Sequence, residues 1–482
     1  MSSLHDVAIA ALRANGFEPD ESDAMRAEVA ATPRAVILGA GVRDLRALLW
    51  SSIDNPESRD LDQVEFAEQM PGGDVRLRIG VADVDSRVKK DSAVDRHAMT
   101  NGTSVYTGVS VYPMLPAALS TDLTSLNEGA DRLAVVVELT IASDGRVTGR
   151  DVYRALVVNR AKLAYDTVGP WLEGSGPVPT KVASTPGLEA QVWLQDRTAS
   201  LLKRVRLQAG ALEFDTVEAT AAGKDGKVEA IVVTRKNRAR DVIEDVMVAA
   251  NVGIAQYLAA QRRSAIRRVV REPKRWPRIV AIAAEHGTVL PAAPDARALS
   301  TFLGARRAAD PLRFPDLSLS IVKLLGPGEY AVDLAGTDDD QGHFGLATAH
   351  YSHATAPNRR YADLVTQRLV KAAIADDPAP YSDDELREIA RQCTEREDAA
   401  NRVERVTRKA SAALLLAPRI GTVFEAIVTG VNRDGTYVRL LSPPAEGRVV
   451  RGEAGMDVGE RVRVRLVSTD AVRGHVDFEG IP

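Results

Sequence analysis

The chain has 482 residues, 45% hydrophobic and 27% charged, enough to bury cores in about three domains and too apolar for a disordered protein. Net charge is −4 and the pI about 6.1, so any surface for a polyanion must come from local clusters rather than bulk charge. The single cysteine, Cys393, excludes an intramolecular disulfide and every multi-cysteine zinc site, and no disulfide-linked partner is expected. With seven histidines and no His-Glu-x-x-His pattern, a metal site here would use oxygen ligands, which suits Mg²⁺ or Mn²⁺. The start, Met-Ser-Ser-Leu-His-Asp, carries neither a basic region nor an apolar run of signal length. Apolar stretches such as Ala134–Val137 and Leu414–Ala417 fall far short of the roughly 20 residues of a membrane span. A soluble, cytoplasmic monomer is the expectation.

Residues 1–45 read as a small helical domain. Leu4, Val7, Ala8, Ala11 and Leu12 recur at helical spacing, and Asn15-Gly16 supplies a stop. A second short helix is predicted from Ser22 to Ala30, before Thr32-Pro33. The pair suits a helix-turn-helix or winged-helix module, and equally a capping subdomain. Residues 46–418 mix strands and helices without a regular βαβ repeat, which predicts an α+β domain. Val75, Leu77, Ile79 and Val81 alternate with mostly polar residues, as a half-buried strand should, and Leu133 to Ile141 is a second strand-like run. Val242–Leu258 is long and apolar with helical period, hence a core helix. Ser382 and Glu385 form a capping box that opens a helix running to about Leu416, whose outer face carries Arg391, Arg402, Arg405 and Arg408. Residues 419–482 turn to short alternating strands. Val423–Val431 and Tyr437–Leu440 flank an Asp434-Gly435 turn, and Arg461–Val467 alternates Arg with Val or Leu. That texture predicts a five-stranded OB β-barrel, a fold often used for oligonucleotides.

The chemistry is densest at Ser52-Ile53-Asp54-Asn55-Pro56-Glu57-Ser58-Arg59-Asp60-Leu61-Asp62-Gln63-Val64-Glu65-Phe66. Asn55-Pro56 favours a turn that folds Asp54 back towards the later acids. If a strand begins near Asp60, then Asp60, Asp62, Val64 and Phe66 share one face, and two carboxylates point the same way as the core. Unpaired, they would be expensive to bury, and a divalent cation completed by a phosphate would relieve that cost. By itself the segment is also compatible with a solvated acidic loop and a strand that starts after Asp62.

The same segment resembles the signature of the ribonuclease II family (the RNB domain), roughly Thr-Ile-Asp, a short turn, then Asp-hydrophobic-Asp-Asp. Further similar segments follow in order: Ile79-Gly80-Val81-Ala82-Asp83-Val84, then Gly102-Thr103-Ser104-Val105-Tyr106 with Pro113-Met114-Leu115-Pro116, then Ser125-Leu126-Asn127. Ala161–Tyr165, Gly210–Phe214 and Ile243–Met247 come next. His343-Phe344-Gly345-Leu346 then leads to Tyr351-Ser352-His353-Ala354-Thr355-Ala356-Pro357-Asn358-Arg359-Arg360-Tyr361-Ala362-Asp363-Leu364. The resemblance covers about Leu45 to Val370, and a C-terminal OB domain also fits it. Two departures stand out. The family's usual N-terminal pair of cold-shock OB domains is replaced by the short helical unit, and the fourth acidic position is Gln63, which keeps a carbonyl oxygen but lacks the charge.

The resemblance implies a divalent-metal-dependent, hydrolytic 3′-to-5′ exoribonuclease that degrades single-stranded RNA to nucleoside 5′-monophosphates in RNA turnover or processing. Asp54, Asp60 and Asp62 would bind or organise Mg²⁺ or Mn²⁺, with Gln63 as a weakened fourth member. Arg359 would grip the scissile phosphate; otherwise it is a surface arginine on a helix after Pro357. Tyr106 and Phe214 would sandwich the terminal base, their bland alternative being core packing. Tyr165 and Glu244 would contact ribose, although Glu244 could instead form a buried salt bridge with Arg238 or Arg240. Basic clusters at Arg235–Arg240, at Arg262-Arg263 with Arg267-Arg268, and at Arg271–Arg275 could guide the strand inward, or be solvated faces. A rival of another class is an RNA-binding or regulatory protein with a weakened or inactive nuclease site, which Gln63 favours.

Overall fold

A computed structural model describes residues 3–481 except 216–217, 225–226, 337–341 and 433–434, so Asp434 of the predicted turn lies outside the described residues. The central sheet is built from β1 (Arg43–Asp44), β2 (Trp50–Asp54), β3 (Gln63–Gln69), β4 (Val75–Ala82), β5 (Asp131–Ile141) and β6 (Val147–Ala164). Its order is β1-β6-β2-β3-β4-β5, with a further β6–β5 pairing. The 18-residue β6 makes this possible: its first part pairs antiparallel with β5 and its last part, Asn159–Ala164, runs parallel to β2. The sheet therefore curls upon itself, and the end of β2 is brought beside the end of β6.

The predicted alternation is present in β4, where Val75, Leu77, Ile79 and Val81 are buried. Arg76 and Arg78 point to the opposite face and pair with Glu68 and Glu138 of neighbouring strands. Two helices cover the apolar face: α4 (Leu188–Ala209) and α5 (Arg238–Ala260). Gly253 of α5 lets the helix approach closely, since a Cβ there would meet Leu139 and Val137 of β5 at 3.2 and 3.3 Å. Among the described residues α5 alone is long and apolar enough to cross a membrane, and it is a buried core helix here, as its periodicity predicts.

The N-terminal helices α1 (Leu4–Ala14) and α2 (Asp23–Ala31) form where predicted, with Ser3 and Ser22 as N-caps. Leu4 and Val7 of α1 pack on Ala410, and Leu12 on Ala399, Ala400 and Val403, all from α7 (Asp383–Leu416). The α2 helix leans on α3 (Ala93–Asn101), where Glu28 accepts from the Val94 N–H. The Ser382–Glu385 capping box is formed at the start of α7.

The other end of α7 reaches the C-terminal barrel, where Ala412, Ala413 and Leu416 join Phe424, Val438, Val464 and Phe478 in one core. Five strands, β7 (Val423–Asn432), β8 (Gly435–Leu440), β9 (Glu446–Arg451), β10 (Arg461–Asp470) and β11 (His475–Ile481), close in the order β7-β8-β9-β11-β10. The β9–β11 pairing is parallel and the rest antiparallel, which is the OB arrangement the sequence pattern predicts. The fold is thus α+β with a closed five-stranded barrel at the C-terminal end.

Candidate active site

Asp54 is the last residue of β2, Asp60 and Asp62 lie in the connection to β3, and Gln63 is the first residue of β3. The strand therefore starts after Asp62, three residues later than the shared-face expectation required. The acids are nonetheless not left in solvent. Asp62 is buried, and its backbone oxygen still accepts the Ala82 N–H at 2.9 Å, extending the ladder by one rung beyond the strand.

Hydrogen bonds from distant segments shape the loop. The Asn55-Pro56 turn closes with the Ser58 N–H donating to the Asn55 oxygen, and Asp54 Oδ1 accepts from the Ser58 hydroxyl at 2.9 Å. Lys162 Nζ, on β6, donates to the oxygens of Pro56 and Ser58 at 2.9 and 2.5 Å. Ser125 holds the second half: its hydroxyl accepts the Leu61 N–H at 3.0 Å and donates to the Arg59 oxygen at 2.7 Å. With the turn closed, Asp54 is folded back as Asn55-Pro56 predicts, and its charge acts on Asp60.

Opposite lies the segment ahead of α6 (Tyr361–Ala375). The Asn358 N–H donates to Asp62 Oδ1 at 3.0 Å, and Arg359 Nε stands 3.7 Å from Asp62 Oδ2. Arg359 precedes α6 rather than lying on it, and its side chain keeps 43% of its surface exposed. Arg360, by contrast, is spent internally on Asp363, at 2.8 and 2.7 Å. The Arg359 oxygen accepts from the Ser104 N–H and the Thr103 hydroxyl, both at 3.0 Å, which sets Tyr106 beside the site. The Tyr106 side is open, with 41% of the residue exposed, while Arg359, Asp60, Asp62 and Asp54 act on its hydroxyl.

Burial dominates the electrostatics. It pushes Asp62 up to about 7, with Arg359 opposing, and it raises Asp60, with Asp54 adding to the rise. The Tyr106 hydroxyl is pushed up to about 12 by the same cause and stays protonated at neutral pH. Glu65, outside the set of predicted site residues, is fully buried on β3 and pushed up to about 8, with Asp54 adding to the effect of burial. Its sequence signal is a charged residue at an inward position of a strand.

The remaining predicted residues are distributed around this centre. Tyr165 opens a helix directly after β6, packs under the Arg240 guanidinium at 4.4 Å, and is acted on by the charges of Asp54 and Glu65. Glu244 is exposed rather than buried, and its ion pair is with Lys236 at 2.7 Å, not with Arg238 or Arg240. Arg238 is held by Asp196, and Arg240 donates to Asn55 Oδ1 at 2.7 Å. Phe214 is half-buried against a separate core around Trp276, Phe302 and Phe314, with no ring contact to Tyr106 among the described residues. Part of the basic clusters is neutralised: Arg263, Arg267, Arg268 and Arg271 pair with Asp376, Asp333, Glu397 and Glu329.

Whether these residues suit a divalent cation turns on their donor set. Among the described residues no three Asp, Glu, His or Cys side chains form a ready-built cluster. The donors are nonetheless all oxygens: buried Asp62 has Arg359 standing off at 3.7 Å, and neither carboxylate oxygen of buried Glu65 has a hydrogen-bond partner among the described residues. Mg²⁺ is commonly held by one or two carboxylates with water and substrate phosphate rather than by an all-protein cage. The residues fit such an ion.

Residues 42–376 match the RNB domain model and residues 422–480 the RNase II-type exonuclease C-terminal S1 domain, and the chain belongs to the RNB-domain family. Ribonuclease R of Escherichia coli (strain K12) is 31% identical over 476 residues, covering 91% of this chain and 57% of that protein. Ribonuclease R of Vibrio cholerae is 34% identical over 482 residues, covering 90% and 56%. The chain thus spans a little over half the length of these relatives. Among solved structures, Mycoplasma genitalium RNase R in complex with ribose methylated single-stranded RNA superposes with a TM-score of 0.87 at 21% identity, covering 100% of this chain and 78% of that one.

Proposed function

We propose that this chain is a 3′-to-5′ exoribonuclease that binds single-stranded RNA and hydrolyses it from the 3′ end to nucleoside 5′-monophosphates, with Mg²⁺ or Mn²⁺ as cofactor. The observation that carries this reading is the seat of Arg359: a half-exposed guanidinium fixed through its own backbone, beside a buried Asp62, on the rim of an all-oxygen acidic loop. In each cycle water adds to the terminal phosphodiester, the P–O3′ bond breaks, and the shortened chain keeps a 3′-hydroxyl.

Asp54, Asp60 and Asp62, with the Gln63 carbonyl, would hold the cation, which when bound neutralises phosphate charge and activates water. Arg359 grips a non-bridging phosphate oxygen and stabilises the charge that builds there. Its weak ground-state hold on Asp62 leaves its donors available for that task. The open side of Tyr106 offers a stacking face, worth about 1–3 kcal/mol per base and indifferent to sequence, and Phe214 is its assigned partner across the base. Tyr165 and Glu244 are assigned to the ribose, where a 2′-hydroxyl distinguishes RNA from DNA. The domain division at residues 45 and 418, a cytoplasmic location and a monomeric state belong to the same proposal.

The test is 5′-labelled unstructured RNA with Mg²⁺ or Mn²⁺, beside EDTA and Asp62→Asn controls. A shrinking ladder with mononucleotide release, absent in both controls, supports the enzyme. RNA that stays intact yet is retained on a filter supports the second reading, an RNA-binding protein with an inactive site, which Gln63 favours.

A further inference from the structure

Three neighbouring polar side chains on the helix-covered side of the sheet, beside the acidic loop, have unpartnered oxygens. Glu65 is 1% exposed, and neither of its carboxylate oxygens has a hydrogen-bond partner among the described residues. Ser51 stands directly opposite Glu65 across the β2–β3 pair, is fully buried, and leaves its hydroxyl unpartnered. Directly opposed residues of paired strands share a face, so the two side chains are neighbours. Gln195 of α4 donates to the Glu65 backbone oxygen at 3.3 Å and leaves its own Oε1 without a donor. The charged group that acts on Glu65 is Asp54, three residues after Ser51 on the same strand.

A packing role does not account for this arrangement. A valine or isoleucine fits a buried strand position without the desolvation cost of an unpaired carboxyl. Among the described residues these oxygens are left without a partner, and no cation is among the groups that shift Glu65; unpartnered oxygens are what a hard cation requires. Position matters as well. Gln63 occupies the fourth acidic place of the motif without a charge, and Glu65 is two residues on, hence on the same face of β3. The rise over two strand residues is roughly 6.6 Å, and the extra methylene of glutamate lets its carboxylate lean back along the strand.

We infer that Glu65 would supply a fourth carboxylate to the divalent-cation site, standing in for the charge that Gln63 lacks. This rests on the metal-dependent reading above. Glu65 is then a cation ligand, and Ser51 a positioning residue that bonds the carboxylate or an ion-bound water.

The experiment uses the full chain, stripped with EDTA and titrated with Mn²⁺ alone. Bound Mn²⁺ is read as loss of the free-ion paramagnetic resonance signal, and Tm is recorded with and without Mn²⁺. Glu65→Gln should weaken Mn²⁺ binding roughly tenfold or more and reduce the Mn²⁺-dependent gain in Tm, while its Tm in EDTA equals or exceeds that of the wild type. Adding Gln63→Asp to Glu65→Gln should return the affinity to within about threefold of wild type. The inference is overturned if Glu65→Gln binds Mn²⁺ as the wild type does while Asp54→Asn loses it. It is equally overturned if Glu65→Gln lowers Tm in EDTA and keeps the full Mn²⁺ gain, which marks a structural residue. A wild type that binds no Mn²⁺ overturns the metal-dependent reading itself, and this inference with it.

Discussion

Replacing Arg359 by alanine separates catalysis from stability in a way the geometry makes quantitative. The side chain is 43% exposed and its ion pair with the buried Asp62 is 3.7 Å long. An exposed pair is worth about 0–1 kcal/mol. Burial already pushes Asp62 up to about 7, so the carboxyl left by alanine takes up a proton instead of staying charged and unpaired, which keeps the loss near that range. A loss of that size lowers Tm by no more than about 4 °C in a domain this large. The backbone contacts that fix the segment, Arg359 oxygen to Ser104 and Thr103, are indifferent to the side chain and survive. In the transition state the same guanidinium faces developing phosphate charge, where loss of one such donor costs about 10²–10³-fold in rate, or roughly 2.7–4 kcal/mol. Arg359→Lys keeps the charge but not the planar fork and should fall between. Single-turnover decay of 5′-labelled RNA gives the rate, and a thermal scan in the same buffer gives Tm. A rate within about threefold of wild type would refute the assignment, as would a fall in Tm large enough to explain the loss by unfolding.

Ser125→Ala removes the two hydrogen bonds by which Ser125 holds the second half of the acidic loop and strands the Leu61 N–H in a buried place. That should destabilise the protein by roughly 2–4 kcal/mol and lower activity as well, read by urea unfolding beside the RNA assay; unchanged unfolding would remove Ser125 from its role. Asp62 is pushed up to about 7 by burial, so the stability tied to its protonated form is complete below its unfolded value near 4 and is lost as pH rises to about 7. In EDTA, Asp62→Asn, which mimics the protonated form, should gain Tm over wild type across that window, and a pH-independent difference would contradict it. Gln63→Asp should lower the Mg²⁺ concentration for half-maximal activity, and an unchanged or higher requirement would refute the charge argument. Cys393 is buried with its thiol pushed up to about 12, so a disulfide reagent at pH 8 should leave it unmodified until the protein is unfolded.

The parts legible in the sequence were those set by local periodicity and capping. The Ser382 box, the Val75–Val81 alternation, the apolar period of α5 and the barrel strands depend on neighbours along the chain, and each formed near its expected bounds. The start of β3, near Asp60 or after Asp62, stays open in the sequence because alternation alone does not reveal where a ladder begins; Ser125 draws Leu61 out of line, and only Asp62 reaches a rung. The partner of Glu244 was missed for a related reason, since Lys236, just before α5, bends back onto that helix and satisfies both Asp241 and Glu244. Glu65 was overlooked because its meaning lies in what it lacks. An inward acid is visible in a strand pattern, but its unpartnered state depends on Ser51 and Gln195, the latter 130 residues away.

The same buried acids link stability to activity. Asp62 and Glu65 sit where an apolar residue would stabilise the sheet more, and both are pushed upward by burial, so the cation-free fold carries a cost at neutral pH. Whatever binds the folded loop and not the unfolded chain offsets that cost by mass action. The scaffold tolerates the cost because the loop is held from outside itself: by Ser125, by Lys162, and by the Asn358 N–H on Asp62. Ser125 and Lys162 grip backbone groups of the loop and Asn358 donates a neutral N–H, so these anchors fix the acids without pairing a cation to them. The acidic loop therefore stays folded with its carboxylates only partly compensated, by Arg359 beside Asp62, which favours a divalent cation and, only through that cation, a phosphate.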